Sequence, residues 1–161
     1  MRVRKLVKEK KKQTTATEWR EDDLQPRYAP CFVKTYPQRN GWQWRSATAI
    51  CEETRREYVM LCRCHVQKDD WKSTLILKKM GLGSVVSRYE FHSSHPGLHI
   101  HANCNNGGEL VGPSGMSEVD RIPNNSNRLR RQNAWTKETF WNASKKFFRI
   151  EEENEQYEIG I

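Results

Sequence analysis

The feature that most constrains the fold is an alternation of apolar and polar residues from Tyr58 to Val66. Successive side chains of a β-strand point to opposite faces, so this pattern predicts a strand with one buried face. An all-polar segment, 52–57, precedes it, and the stretch from Trp42 to Cys51 alternates more loosely. Two alternating runs joined by a polar connection predict an antiparallel hairpin.

A different period marks residues 135–150. Phe140, Ala143 and Phe147 recur about every 3.6 residues, and Thr136 is a suitable N-cap in front of them. We therefore expect a C-terminal helix whose aromatic side chains pack on the sheet. The predicted fold class is α+β, with an antiparallel sheet of four or five strands covered by this helix.

Charge divides the chain into three parts. Residues 1–18 are rich in Lys and predict a basic N-terminal arm, with a short edge strand at Val3–Val7 as the alternative. Residues 19–150 are expected to form a single α+β domain, and residues 151–161, with five Glu, an acidic C-terminal tail. The whole chain has 28 Lys and Arg against 20 Asp and Glu, a net charge of +8.

Composition narrows the classes of function. A basic protein attracts polyanions, of which nucleic acid is the first candidate. No apolar run approaches the roughly 20 residues of a membrane-spanning helix, and none follows the basic N-terminus as in a secretory signal, so no membrane partner is expected. The five Cys form no recognisable disulfide framework, which favours reduced thiols in a cytoplasmic protein. The oligomeric state is not indicated.

Four of the five His lie in a second candidate hairpin, between residues 92 and 101. Pairing that sets Tyr89 and Phe91 beside Leu98 and Ile100 buries four apolar groups, whereas a one-residue slip forgoes about 1.5–3 kcal/mol for each misplaced Leu or Ile. This register predicts the pairs His92–His99 and Glu90–His101. It gathers five polar groups on one face: Arg88, Glu90, His92, His99 and His101.

Three kinds of chemistry fit such a face, and the residues leave them open. His99, His101 and Glu90 have the donor types of a divalent metal site that keeps an open position. Without metal, the catalytic groups would be the same three with His92, because imidazole titrates near pH ~6.5 and serves as acid or base. Alternatively, the face only recognises a ligand, with Arg88 as a phosphate contact.

The motif Leu98-His99-Ile100-His101 resembles the core of the HUH single-strand endonucleases. In that family two His on a central strand bind a metal that activates the scissile phosphate, and a Tyr attacks it. Tyr157, the single Tyr downstream, lies among Glu residues, which departs from the family pattern and leaves the nucleophile without a candidate.

Residues 105–134 are rich in Asn, Gly, Ser and Pro and predict a long loop region. Its arginines are candidate phosphate contacts: Arg121, Arg128, Arg130 and Arg131. Trp42 and Trp44 are aromatic enough to stack on bases, but we expect them in the core.

These features predict a small nucleic-acid-acting protein, an endonuclease or ribonuclease that cleaves phosphodiesters of RNA or single-stranded DNA with its histidine cluster. A divalent metal is the one cofactor considered. The alternatives are a non-catalytic module that binds nucleic acid or an acidic protein, and a sensor of a small phosphorylated ligand.

Overall fold

The computed structural model describes residues 3–25, 41–79, 82–92, 98–102, 118–121 and 135–153. Within them are two helices and eight strands. In chain order these are α1 Val3–Lys8, β1 Lys11–Ala16, β2 Trp42–Cys51, β3 Arg56–His65, β4 Asp70–Lys79, β5 Leu82–His92, β6 Leu98–Ala102, β7 Glu118–Arg121, α2 Lys137–Phe148 and β8 Ile150–Glu151.

The strands form one sheet in the order β7-β6-β5-β4-β3-β2-β1-β8. Consecutive strands from β1 to β7 are antiparallel neighbours, while β8 pairs in parallel with β1. The α+β class is confirmed, but the predicted count of four or five strands is too low. The sequence of β1, KKQTTA, is polar up to its last residue, and residues 118–121 and 150–151 form strands too short for an alternation to show.

Helix α2 is confirmed at the predicted place. The backbone N–H of Thr139 donates to Oγ1 of Thr136, 3.1 Å away, and the Thr136 N–H donates back to Thr139, which makes a capping box. Phe140 and Phe148 are fully buried against the sheet. Phe140 lies 5.8 Å from Tyr89 and 5.6 Å from Trp71, measured between ring centroids, so the helix covers the centre of the sheet.

The N-terminal residues differ from the predicted arm and from the predicted edge strand at Val3–Val7. Residues 3–8 are a helix that buries Val3 and Leu6, and residues 11–16 are a strand within the sheet. Six residues with so few apolar positions are too short to display a helical period.

Lys11 ties these N-terminal elements to α2. Its side chain is 1% exposed, and its ammonium donates to three carbonyls, those of Val7 (3.2 Å), Glu9 (2.8 Å) and Phe148 (2.9 Å). Burial lowers the pKa of Lys11 to about 8. The sequence predicts an exposed lysine here, but Lys11 is buried and links α1 and β1 to α2 through hydrogen bonds.

The two faces of the sheet have different characters. The helix face, covered by α1 and α2, carries the main apolar core, including Tyr58, Met60, Trp71 and Tyr89. The opposite face, here called the second face, holds a smaller buried group: Leu24, Trp44, Val59, Leu61 and Ile76. Beside that group, on β3 to β5, the second face becomes polar and charged.

Candidate site on the second face of the sheet

The predicted histidine hairpin is present as β5 and β6. Its register pairs Glu90 with His99 and Arg88 with His101. The expected pairs, His92–His99 and Glu90–His101, are therefore wrong by two residues. The observed register pairs Tyr89 with Ile100 and Phe91 with Leu98, whereas the expected His pairs would set Tyr89 opposite Ala102 and Phe91 opposite Ile100. A shift of two leaves every side chain on its face of the sheet, so the alternation alone does not distinguish the two registers.

Glu90 is the centre of the site. Its side chain is 5% exposed, and its two carboxylate oxygens face two different partners. Nε of Arg88 lies 3.2 Å from Oε1, and Nε2 of His92 lies 3.8 Å from Oε2. The 3.8 Å separation from His92 is longer than a hydrogen bond, and a protonated imidazole there forms an ion pair with the carboxylate. We call Arg88, Glu90 and His92 the carboxylate–histidine cluster.

The cluster continues into a row of charged residues across the sheet. In register with Glu90 lies Lys72 of β4, and in register with Lys72 lies Arg63 of β3. One row closer to the strand ends, His92 pairs with Asp70 and Asp70 with His65. Directly paired residues share a face of the sheet. The second face therefore presents cations, imidazoles and two carboxylates over neighbouring strands.

The structure brings together three of the predicted site residues, Arg88, Glu90 and His92. The backbone of β6 places His99 and His101 opposite two of them, and Arg121 of β7 pairs with His99. That strand also interrupts the long loop predicted for residues 105–134. The side chains of His99, His101 and Arg121 lie outside what the structure describes, as do residues 128, 130 and 131 altogether. Their roles stay predictions.

Metal binding also stays a prediction. Among the side chains that the structure describes, no group of three His, Cys, Asp or Glu is placed to hold a metal ion. The predicted set His99, His101 and Glu90 draws two of its three members from outside those side chains.

Sequence reasoning missed the charged row on β3 and β4. Arg63 and His65 are opposite in parity to the apolar residues of β3, so the alternation did hold a signal for their shared face. Which residue of β4 lies beside them depends on the register between strands, and that is set by tertiary structure.

The cysteines that the structure describes are free and buried, as expected for reduced thiols. Cys62 and Cys64 lie in the core of the helix face. Burial raises the pKa of the Cys62 thiol to about 11 and that of Cys64 to about 12. Both thiols are therefore protonated and unreactive near neutral pH.

Comparisons with protein-family models, with curated proteins and with solved structures gave no match. The function is therefore inferred from the residues and geometry of this chain. Neither of the two described helices is long and apolar enough to cross a membrane.

Proposed function

We propose that this protein cleaves phosphodiester bonds of single-stranded nucleic acid, RNA in the first place, at the β5–β6 hairpin. The observation that carries the proposal is the buried Glu90, which contacts Arg88 and His92 and pairs in register with His99. Clusters of this kind, with a buried carboxylate between a cation and an imidazole, are typical of sites that move protons.

In the metal-free route, two histidines act as base and acid. One imidazole accepts the proton of the ribose 2′-OH while that oxygen attacks phosphorus. The bond from phosphorus to the 5′ oxygen breaks, and a second, protonated imidazole donates its proton to the leaving oxygen. The products are a 2′,3′-cyclic phosphate and a 5′-OH. His92, whose Nε2 lies 3.8 Å from Glu90, is one of the pair, and His99 or His101 is the other.

Arg88 has a second task in this scheme. The side chain of Arg88 is 36% exposed while its Nε lies 3.2 Å from Glu90, so we propose that it also reaches a phosphate. A guanidinium binds phosphate oxygens in a planar fork and stabilises the charge that develops on them. Arg121, which pairs with His99, is proposed as a further phosphate contact.

A metal-dependent route uses the same strands. His99, His101 and Glu90 would hold a divalent ion, which would supply Lewis-acid activation of the phosphate and of a water nucleophile. Because this route would need no ribose 2′-OH, it would also apply to single-stranded DNA.

The test is incubation of end-labelled single-stranded RNA and DNA with the protein, with and without EDTA. We expect RNA cleavage, abolished in His92→Ala and reduced at least about 100-fold in Glu90→Gln, in the range of a lost acid–base group. Glu57→Gln is the matched control because Glu57 is an exposed glutamate of β3 far from the cluster. Cleavage that survives EDTA supports the metal-free route, and cleavage that needs Mg²⁺ or Mn²⁺ supports the other.

Intact RNA and DNA under all conditions would overturn the nuclease proposal. Salt-sensitive binding without cleavage would then establish the binding module, the second candidate, which the aromatic and cationic groups at Trp42 favour. A rise in melting temperature with a nucleotide alone, without polymer binding, would establish a sensor of phosphorylated ligands. We also propose a cytoplasmic location, because buried free thiols suit a reducing compartment.

A further inference from the structure

Trp42 lies at the start of β2 on the second face, half-buried, with two cations against its ring. Cζ of Arg63 is 5.1 Å from the indole centroid, and Nζ of Lys72 is 5.4 Å from it. Trp44, by contrast, is fully buried, as expected for both tryptophans. We call Trp42, Arg63 and Lys72 the Trp42 subsite.

The indole of Trp42 packs against His65, its direct neighbour across β2 and β3. That side chain is 5% exposed and meets the Trp42 ring edge-on, with centroids 5.6 Å apart and an angle of 87° between the planes. Its Nδ1 accepts the backbone N–H of Lys68 at 3.2 Å. Gly41 has a φ of +89°, and a β-carbon there would collide with the imidazole. The position of the Trp42 ring is therefore fixed by its packing against a buried His65.

Two like charges lie next to each other beside Trp42. Arg63 and Lys72 are directly paired across β3 and β4, and like charges in such a pair repel. Two carboxylates beside Lys72 offset part of the repulsion: Asp70, 3.8 Å away, and Glu90, which pairs with Lys72 across β4 and β5. An anionic group bound between the two cations would relieve it further, which is the behaviour of a phosphate site.

The Trp42 subsite and the carboxylate–histidine cluster belong to one surface. Lys72 pairs with Glu90, and three strand spacings, roughly 14 Å, separate β2 from β5. A chain of a few nucleotides spans such a distance, so a strand that stacks on Trp42 has a later phosphate at the cluster.

We propose that the Trp42 subsite binds an unpaired base on the indole and its phosphate on Arg63 and Lys72, which makes single-stranded nucleic acid the substrate class. The inference rests on the proposed function for its ligand. In a duplex, neighbouring base pairs cover both faces of each base, so an indole has no base to stack on. An acidic protein would use the two cations but not the ring.

The experiment measures binding of a fluorescein-labelled, unstructured single-stranded 12-mer and of the matching duplex by anisotropy at fixed salt. We expect Trp42→Leu to weaken single-strand binding about 10-fold or more, since one base–aromatic stack contributes that much, and to leave duplex binding unchanged. Trp42→Phe keeps a stacking ring and should lose less. Thermal melts of both variants check that the packing at His65 is intact.

Lys72→Gln and Arg63→Gln test the phosphate contact. Each should lower the slope of log affinity against log salt by about one. Lys78→Gln is the matched control, because Lys78 lies on the same face of the same strand, in register with Glu57 at the other end. Equal losses in Lys78→Gln would mean that only general charge is at work and would overturn the subsite.

The outcomes separate the two proposals. If the wild type cleaves RNA and folded Trp42→Leu keeps the same KM and the same single-strand affinity, the Trp42 subsite is wrong and the nuclease stands. If the wild type cleaves nothing but binds single strands through Trp42, the subsite stands and the nuclease is wrong. Equal binding of poly-glutamate, insensitive to Trp42, overturns the subsite in favour of an acidic protein.

Discussion

The two faces of strands β3 to β5 have opposite uses, although they share one backbone. Toward the helices, the side chains of Met60, Trp71 and Tyr89 are buried in the main core. Toward the second face, the neighbouring positions hold Arg63, Lys72 and Glu90, which form a charged row. One face is organised for stability, and the other accepts charge repulsion and a buried carboxylate. We expect substitutions on the helix face to change stability and those on the second face to change ligand binding and cleavage.

The largest effect is expected for Phe140→Ala on the helix face. Phe140 is fully buried and contacts the rings of Tyr89, Trp71 and Trp135. Its loss leaves a cavity between helix and sheet and should lower the free energy of unfolding by about 3–5 kcal/mol. Urea denaturation followed by circular dichroism measures the change. A loss below 1 kcal/mol would contradict the role given to the helix face.

Lys11→Met is expected to cause the next largest loss of stability. The ammonium of Lys11 satisfies three carbonyls, and its removal leaves them without that donor, at a cost of about 2–3 kcal/mol. The matched control is the neighbouring Lys12→Met, since Lys12 is partly exposed and pairs with Glu52 and Glu153. Denaturation curves for both variants give the comparison, and equal losses would refute the linking role of Lys11.

Two adjacent residues of β4 point to opposite faces of the sheet, so a leucine can be introduced on each face in turn. Ser73 is fully buried on the helix face, where Sγ of Cys62 donates to its hydroxyl at 3.4 Å. Ser73→Leu overpacks this position and should cost about 1–3 kcal/mol. Lys72→Leu, on the second face, should change stability by no more than about 0.5 kcal/mol while weakening nucleic-acid binding. A larger loss of melting temperature in Lys72→Leu than in Ser73→Leu would contradict the different roles of the two faces.

The last prediction concerns alkaline pH, where the effect is confined to a narrow window. Burial raises the pKa of Cys62 from 9.0 to about 11, so between these values the unfolded chain loses this proton first. The stabilisation is complete below pH 9 and is lost as the pH rises toward 11. In Cys62→Ser, stability should fall less steeply over that window, by up to about 1.4 kcal/mol per pH unit. Lys11 and Tyr58 titrate equally in both proteins, so their contributions cancel from the difference in slope. Parallel curves would contradict the prediction.

The sequence predicts those parts of the fold whose pattern is local. Helix α2 follows from its 3.6-residue period and Thr136, and the β2–β3 and β5–β6 hairpins follow from alternation. Helix α1 and strand β1 are not predicted by the sequence because they are short and because Lys11, a charged residue, is buried. The domain boundaries at residues 18 and 150 stay predictions.

The candidate site is predictable only in part, for a related reason. Arg88, Glu90 and His92 stand at alternate positions of one strand, so their shared face is local information. The partners of Glu90 in β6 and of Trp42 in β3 and β4 depend on strand register. A shift of two residues leaves every side chain on the same face of the sheet, so the alternation of apolar and polar residues does not select among such registers.

The pairing of β1 with β8 has a consequence for the order of folding. From β2 to β6, strands that are neighbours in the sheet follow one another in the chain, so each hairpin closes a short loop. The β1–β8 ladder instead joins Lys11 to Ile150 and closes by far the longest loop. We expect the β5–β6 hairpin to form before the β1–β8 pairing does. In amide hydrogen exchange, the amides of the β1–β8 pairing should therefore exchange before those of the hairpin.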